Sequence, residues 1–197
     1  VDCEKLEKAV RLIENSNHTA VFTGAGISVE SGIPPFRGES GLWNKYEPER
    51  FTLANFFANP KKTWKLCKDI FYDLFQKVEP NQAHKVLADW EKKGIIEAVI
   101  TQNIDALHQK AGSEKVFEFH GTSQELICTE CNEIIKFRES LLQDLPPECK
   151  KCGSILKPNF IFFGEDIPRS AYQKSLRETS AEVFLVVGTT GEIMPAC

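Results

Sequence analysis

Apolar residues recur along the chain with two different periods, one helical and one typical of buried strands. Leu6, Val10 and Ile13 follow a helical spacing, so the pattern predicts a helix between Asp2 and Asn15. Further helices are predicted over 55–75, 83–93 and 170–178. Short β-branched and aromatic runs predict strands at 19–23, 97–101, 116–119, 159–163 and 183–187. Helices that alternate with buried strands indicate an open, parallel α/β sheet.

Two stretches interrupt this alternation. Residues 32–46 carry three glycines and two prolines, too many helix breakers for a long helix, and a long loop in a compact domain is usually functional. A later stretch is bracketed by two cysteine pairs and contains its own short strands. We therefore expect residues 123–156 to form an inserted subdomain, with the main domain formed by 1–122 and 157–197.

Four of the seven cysteines form two C-x-x-C pairs. Two such turns can offer four thiolates tetrahedrally to one zinc ion, and the spacing favours this over four incidental thiols. Four protein ligands leave no coordination position for water, so the ion is expected to be structural and the insertion to be a zinc ribbon. The predicted ligands are Cys128, Cys131, Cys149 and Cys152.

Charge and hydropathy narrow the range of partners. A formal net charge of -4 argues against direct nucleic-acid binding, although a small basic patch near Lys150 and Lys151 stays open. No apolar run has the length of a membrane span, and the N-terminus does not read as a signal sequence. With paired cysteines suited to a metal, we expect an intracellular, cytoplasmic protein, with a nuclear location as the alternative.

A glycine turn follows the first predicted strand. Gly24, Ala25 and Gly26 resemble the first phosphate-binding turn of a dinucleotide-binding fold, where backbone N–H groups approach a pyrophosphate. Position 29 is Val, so the full G-x-G-x-x-G motif is missing and the turn alone is a weak signal.

A set of motifs in a fixed order carries more information than any one of them. The sequence resembles the sirtuins over nearly its whole length, and this resemblance implies a Rossmann-like NAD-binding domain with the zinc-ribbon insertion. The matching segments are GAGIS (24–28), GIPPFRG (32–38), TQNID (101–105), LHQKAG (107–112), FHG (119–121), the two C-x-x-C pairs, FFGE (162–165) and GTT (188–190).

The sirtuin resemblance implies NAD-dependent removal of acyl groups from lysine in proteins, giving nicotinamide and O-acyl-ADP-ribose. His120 is the implied catalytic base, which takes a proton from a ribose hydroxyl. By the same resemblance Asn103 and Asp105 orient the ribose and the nicotinamide amide, and Phe36 shields the reacting sugar. The full set of implied cofactor-binding residues is Gly24, Ala25, Gly26, Ser28, Phe36, Arg37, Gln102, Asn103, Asp105, Gly188, Thr189 and Thr190.

The resemblance also implies which residues bind the substrate. Ile161 and Phe163 match the apolar lining of an acyl-lysine channel, and the edge near Gly164 and Glu165 is expected to pair with the backbone of an acetylated protein or peptide. Sirtuins that prefer acidic acyl groups carry Tyr and Arg where this sequence has Cys67 and Ile70. Without a cation for a carboxylate, acetyl or another neutral acyl group is favoured.

Two other functions use the same residues. Mono-ADP-ribosyl transfer would use the same activated sugar with a different acceptor, and a non-catalytic NAD or acyl-lysine binding module would need no base. His120, Asn103 and Asp105 are all present, which favours the enzyme. The resemblance also indicates that the NAD-binding domain is incomplete at its C-terminal side. Among the other histidines, His84 is expected to be structural, and His18 and His108 to be surface or capping residues.

Overall fold

Two β-sheets form the framework of the molecule, seen here in a computed structural model that describes residues 2–192, Met194 and Ala196. The strands are β1 (Thr19–Thr23), β2 (Ala98–Thr101), β3 (Val116–Glu118), β4 (Gly121–Cys128), β5 (Ile134–Lys136), β6 (Leu156–Phe160) and β7 (Val183–Val187). Four of them are parallel, in the order β3-β2-β1-β7, and three are antiparallel, in the order β5-β4-β6. The predicted parallel α/β sheet with a smaller insertion is confirmed.

The helices pack around both sheets. They are α1 (Cys3–Glu14), α2 (Leu53–Ala58), α3 (Pro60–Cys67), α4 (Asp73–Phe75), α5 (Gln82–Lys92), α6 (Leu107–Ala111) and α7 (Arg169–Glu178). A π-helical turn, Lys68–Tyr72, joins α3 to α4. The described helices include none that is both long enough and apolar enough to span a membrane.

Local sequence explains where several elements begin. The carboxylate of Asp2 accepts a hydrogen bond from the backbone N–H of Lys5, so Asp2 is the N-cap of α1. Asn81 caps α5 in the same way, through the N–H groups of Ala83 and His84. In the parallel sheet, every residue of β1 and β2 is buried, as expected for central strands covered on both faces.

The long helix predicted over 55–75 is wrong as a single element. The chain forms α2, breaks at Asn59, and begins again as α3 at Pro60. Proline lacks an N–H group, which costs nothing at the first position of a helix but breaks a helix interior. The apolar pattern continued through the break because α2 and α3 both face the same core.

The strand predicted over 159–163 is also displaced, since β6 begins at Leu156 and ends at Phe160. Its antiparallel partner is β4, and the pairing includes Lys157 and Pro158. Residues 161–163 leave the ladder: Phe163 instead exchanges backbone hydrogen bonds with Phe51 and Leu53. The apolar run therefore predicts that this segment is buried, but the pairing with β4 determines which of its residues form the strand.

The largest buried cluster lies between α2–α4 and the antiparallel sheet. Trp64 is fully buried there, and its indole N–H donates to the backbone oxygen of Leu156 at 2.7 Å. The antiparallel strands extend slightly beyond 123–156 at both ends. The division into 1–122 with 157–197, and 123–156, stays a prediction, and its outer limits at residues 1 and 197 lie outside the described residues.

Candidate active site

The glycine turns that follow β1 and β7 touch each other at the carboxyl edge of the parallel sheet. The N–H of Gly26 donates to the oxygen of Gly188 at 2.8 Å, and the N–H of Gly24 donates to Val187 at 3.0 Å. A Cβ atom on Gly26 would lie 2.8 Å from the Cα of Gly188, so only glycine allows this approach. Both turns therefore meet at the edge where open α/β sheets bind ligands.

Three buried polar side chains form a connected cluster at this edge. The amide nitrogen of Asn103 donates to the carbonyl of Gly24 (3.1 Å) and to the hydroxyl of Ser28 (3.2 Å). Ser28 in turn donates to Asp105 at 2.7 Å, and the other oxygen of Asp105 accepts the N–H of Leu107 at 2.9 Å. The cluster fixes the position of each side chain.

The carboxylate of Asp105 is buried, yet no described lysine, arginine or histidine forms an ion pair with it. A buried charge is costly unless a partner offsets it, so this site suits a ligand with a positive charge or N–H donors. Next to the cluster lies a small cavity with otherwise apolar walls, whose lining includes Ala25, Ile33, Phe36, Ile70 and Phe71.

His120 lies in the turn between β3 and β4, and its Nδ1 is 3.0 Å from the carbonyl oxygen of Gln102. A carbonyl can only accept, so Nδ1 carries the proton and Nε2 of the neutral ring is the basic atom. Burial lowers the pKa of His120 below its usual value, partly opposed by the hydrogen bond to Gln102. The ring is therefore neutral at pH 7, with Nε2 bonded to no described residue.

The remaining predicted cofactor residues lie on the segments that follow β1, β2 and β7. Gln102 donates from its side chain to the hydroxyl of Thr189 at 3.0 Å, which links the ends of β2 and β7. The exposed Arg37 makes no hydrogen bond or ion pair within the described chain, so its guanidinium is available to an anionic ligand. Thr190 is exposed and its hydroxyl donates to Glu192. Phe36 packs against the ring of Trp43, with centroids 5.2 Å apart.

The residues predicted for the acyl-lysine substrate follow β6, and one of them bonds to His120. The N–H of Ile161 donates to the carbonyl of His120 at 2.9 Å. Phe163 is 49% exposed and packs on Trp43, and Gly164 has an open, left-handed backbone conformation. The carboxylate of Glu165 accepts hydrogen bonds from Lys157 (3.0 Å) and from the N–H of Phe162 (2.6 Å).

Two residues of this region were missed or misjudged at the level of sequence. Lys157 is buried and donates to the carbonyls of Pro158 and Phe160 as well as to Glu165. Its only sequence signal was a lone charge in an apolar strand. The expectation that His108 is a surface or capping residue is wrong, because it is buried beneath the cluster. His84 is buried, as its structural assignment requires.

The four cysteine sulfur atoms lie within 4.8 Å of one another. Pairwise distances of 3.4, 3.6 and 3.8 Å match the separation of roughly 3.8 Å that four zinc–sulfur bonds of about 2.3 Å impose in a tetrahedron. Asn132 and Gly153, directly after each C-x-x-C pair, adopt left-handed conformations that close the two turns. The site fits one structural zinc ion, held by Cys128, Cys131, Cys149 and Cys152.

The fold and the site define a class of protein: an α/β protein with a ligand site at the carboxyl edge of its parallel sheet and an inserted four-cysteine zinc module. The family model described as Sir2 family matches residues 24–195. The chain belongs to the Sir2 family.

Several known proteins are similar to this chain over nearly its full length. An NAD-dependent protein deacylase 2 of Archaeoglobus fulgidus is 43% identical over 98% of this chain and 78% of its own. An NAD-dependent protein deacetylase of Thermotoga maritima is 41% identical over 98% of this chain and 79% of its own. A solved complex of Sir2 with a p53 peptide and NAD+ is 38% identical, with a TM-score of 0.86, and the match covers 97% of this chain and 78% of that one.

Proposed function

We propose that this chain is an NAD-dependent protein-lysine deacylase that removes acetyl or another neutral acyl group and releases nicotinamide and O-acyl-ADP-ribose. The single observation that carries the proposal is the fixed tautomer of His120. Its Nδ1 is held by the carbonyl of Gln102, so Nε2 is the basic atom, and Gln102 directly precedes Asn103 of the polar cluster. The relatives named above act with NAD on proteins, which supports the same cofactor and substrate class here.

The residues present fit NAD. The unpaired Asp105 suits the cationic nicotinamide ring, and the cavity beside it has apolar walls for an aromatic ring. Arg37 suits the phosphates, because a guanidinium donates several hydrogen bonds to phosphate oxygens. When bound, NAD supplies a sugar carbon that becomes reactive as nicotinamide leaves. The zinc ion is structural and takes no part in the chemistry.

The side chains then have distinct tasks. Nε2 of His120 takes a proton from a ribose hydroxyl, and the carbonyl of Gln102 stabilises the charge that develops on the ring. Asn103, fixed by Gly24 and Ser28, orients the sugar. Phe36, packed on Trp43, closes one wall of the cavity against water.

The walls near the site support a neutral acyl group. Cys67 and Ile70 are buried, and burial raises the pKa of the Cys67 thiol to about 12, so it stays uncharged. Lys157 is the cation near Cys67, but its ammonium already donates to two carbonyls and to Glu165. An acyl group that ends in a carboxylate would be buried without a free cation.

The proposal also covers the substrate, the location and the partners of the protein. An acyl-lysine protein or peptide would pair with the open backbone at Gly164, which directly follows Phe163. We place the protein in the cytoplasm, since the four paired cysteines serve a metal and need a reducing compartment. Direct nucleic-acid binding is disfavoured by the net charge of -4.

The test is nicotinamide release from NAD, measured with and without an acetyl-lysine peptide, together with mass spectrometry of the peptide. His120→Ala removes the base, and His18→Ala is the matched control, since His18 lies before the amino end of β1 at the opposite edge of the sheet. Peptide-dependent release that His120→Ala lowers by roughly 100-fold or more, with His18→Ala unchanged, is expected for general-base catalysis.

Two results would overturn the assignment. Nicotinamide release that does not need the peptide, with ADP-ribose transferred to a protein, would favour the mono-ADP-ribosyltransferase. Binding of NAD or of the acetylated peptide without any turnover would favour the non-catalytic binding module.

A further inference from the structure

A line of buried side chains runs beneath the polar cluster, and the proposed chemistry does not use it. It begins at His108 on α6, passes Thr23 at the end of β1, and reaches Thr101 at the end of β2. All three residues are buried, with exposures of 1%, 0% and 2%. Nε2 of His108 lies 2.9 Å from the hydroxyl of Thr23, which lies 2.8 Å from the hydroxyl of Thr101.

The direction of these hydrogen bonds follows from counting protons. The hydroxyl of Thr23 has one proton, and it donates this proton to Thr101. The oxygen of Thr23 must therefore accept from His108, so Nε2 of His108 carries a proton. The other ring nitrogen, Nδ1, has no hydrogen-bond partner among the described residues. His108 therefore takes part in this line of hydrogen bonds only as a donor.

The far end of the line holds the polar cluster. The hydroxyl of Thr101 accepts the backbone N–H of Asn103 at 3.1 Å. The side chain of Asn103 then reaches Gly24 and Ser28, as described above. Each hydroxyl oxygen along the line accepts a hydrogen bond. The bond from Thr23 orients the hydroxyl of Thr101, and that hydroxyl in turn holds the backbone N–H of Asn103.

Packing around His108 leaves it little freedom. The ring of His84 meets it edge-on, with centroids 4.9 Å apart, and both nitrogens of His84 are buried without a partner in the described structure. Neither imidazole has a carboxylate bonded to it. The pair therefore has the features of a neutral, close-packed support and not of a general acid or base.

We propose that His108 is a positioning residue for the cofactor site, acting through Thr23 and Thr101 on the backbone of Asn103. This rests on the proposed function, because it assumes that Asn103 orients the sugar of NAD. The line ends on Asn103 and not on the segment around Ile161 to Glu165. Its loss should therefore impair the use of NAD and leave peptide binding nearly unchanged.

Two buried threonines of β1 allow a matched test. Thr23→Val removes the hydroxyl that links His108 to Thr101, and valine keeps the shape and the β-branching. Thr19→Val is the control, because Thr19 is equally buried, lies four residues earlier on the same face of β1, and has a hydroxyl without a partner in the described structure. Thr23→Ser keeps the hydroxyl and should retain the wild-type affinity and activity.

The measurements are KM for NAD, KM for the acetyl-lysine peptide, kcat, and the affinity for ADP-ribose by calorimetry. We expect Thr23→Val to lower kcat/KM for NAD and the ADP-ribose affinity by roughly tenfold, the factor for one lost hydrogen bond. The peptide KM should change less than about twofold, and Thr19→Val should change every value less than about twofold. His108→Leu should match Thr23→Val, and His108→Gln, which keeps an N–H donor, should retain more affinity.

Circular dichroism shows whether each variant folds. If Thr23→Val does not fold, Thr101→Val gives the same readout, because it removes the acceptor of the Asn103 N–H. Folded Thr23→Val or Thr101→Val protein with wild-type ADP-ribose affinity would overturn the proposal, as would equal losses in Thr19→Val. Failure of the wild-type chain to deacylate the peptide would instead count against the proposed function, and the calorimetric comparison would still judge the role of His108.

Discussion

Replacing Lys157 with methionine tests how the chain is held where β6 ends beside the proposed substrate edge. The Lys157 ammonium donates to Pro158 (2.9 Å), Phe160 (2.8 Å) and Glu165 (3.0 Å), and it lies 4.6 Å from the centre of the Phe162 ring. Burial lowers the pKa of Lys157, with Glu165 opposing the shift. Its side chain is 9% exposed, so water can replace few of these contacts.

The expected cost follows from what methionine leaves behind. Two carbonyls lose a donor and the Glu165 carboxylate loses its cation, which together should destabilise the fold by about 3–5 kcal/mol, the range for one partner lost from a buried pair. Urea unfolding followed by tryptophan fluorescence measures this, since Trp64 bonds the neighbouring Leu156. Lys93→Met is the control: it breaks an exposed pair with Asp89 and should cost about 0.5 kcal/mol or less.

A second change separates the charge from the packing. In Lys157→Met with Glu165→Gln, the unpaired, partly buried carboxylate is gone and the new amide oxygen can still accept the N–H of Phe162. The double variant should therefore recover at least about 1 kcal/mol relative to Lys157→Met alone. If Lys157→Met costs no more than Lys93→Met, or if Glu165→Gln adds to the loss, the pair does not hold this segment.

Three further predictions concern protons and metal. Burial, with some repulsion from His84, lowers the pKa of His108 to about 3, so its stabilising effect is complete above pH 6.5 and is lost as the pH falls towards 3. By pH 5 the loss of unfolding free energy should be about 2 kcal/mol, as measured by urea titrations at pH 7.5 and pH 5. His108→Gln has no group that titrates in this range, so it should not show this loss. Equal losses in the wild type and in His108→Gln would contradict the argument. Because the pKa of His120 is lowered too, kcat/KM should fall only below about pH 6.5, and an acid limb above pH 7 would exclude this ring as the base. Chelation of zinc should lower both Tm and activity, with recovery on adding zinc, whereas an unchanged Tm would argue against a structural metal.

The sequence predicts best where one local signal decides the structure. The spacing of Leu6, Val10 and Ile13 correctly predicts α1. The β-branched run Thr19–Thr23 correctly predicts β1, because a fully buried parallel strand needs no other pattern. The spacing of the two C-x-x-C pairs also correctly predicts the cluster of four cysteines, since each pair closes its own turn.

Prediction fails where a residue depends on its partners. Nothing adjacent in the sequence shows that the buried Lys157 pairs with the partly buried Glu165 eight residues later. His108 resembles a helix-capping residue locally, and only the packing of α6 against α5 and β1 buries it. The roles of the individual cofactor and substrate residues stay predictions, because they depend on molecules that the fold must first bind.

The position of His120 has a consequence for inhibitor discovery. The residue lies between the two sheets: Gly121, the first residue of β4, pairs with Phe160 of β6, and Ile161 bonds the His120 carbonyl. Strands β4 and β6 carry this turn at one end and lead to the cysteine cluster at the other. Metal-stripping compounds and thiol-reactive compounds will therefore register as hits in an activity screen without occupying the cofactor pocket. A counter-screen with added zinc and a reducing agent will separate them from true ligands.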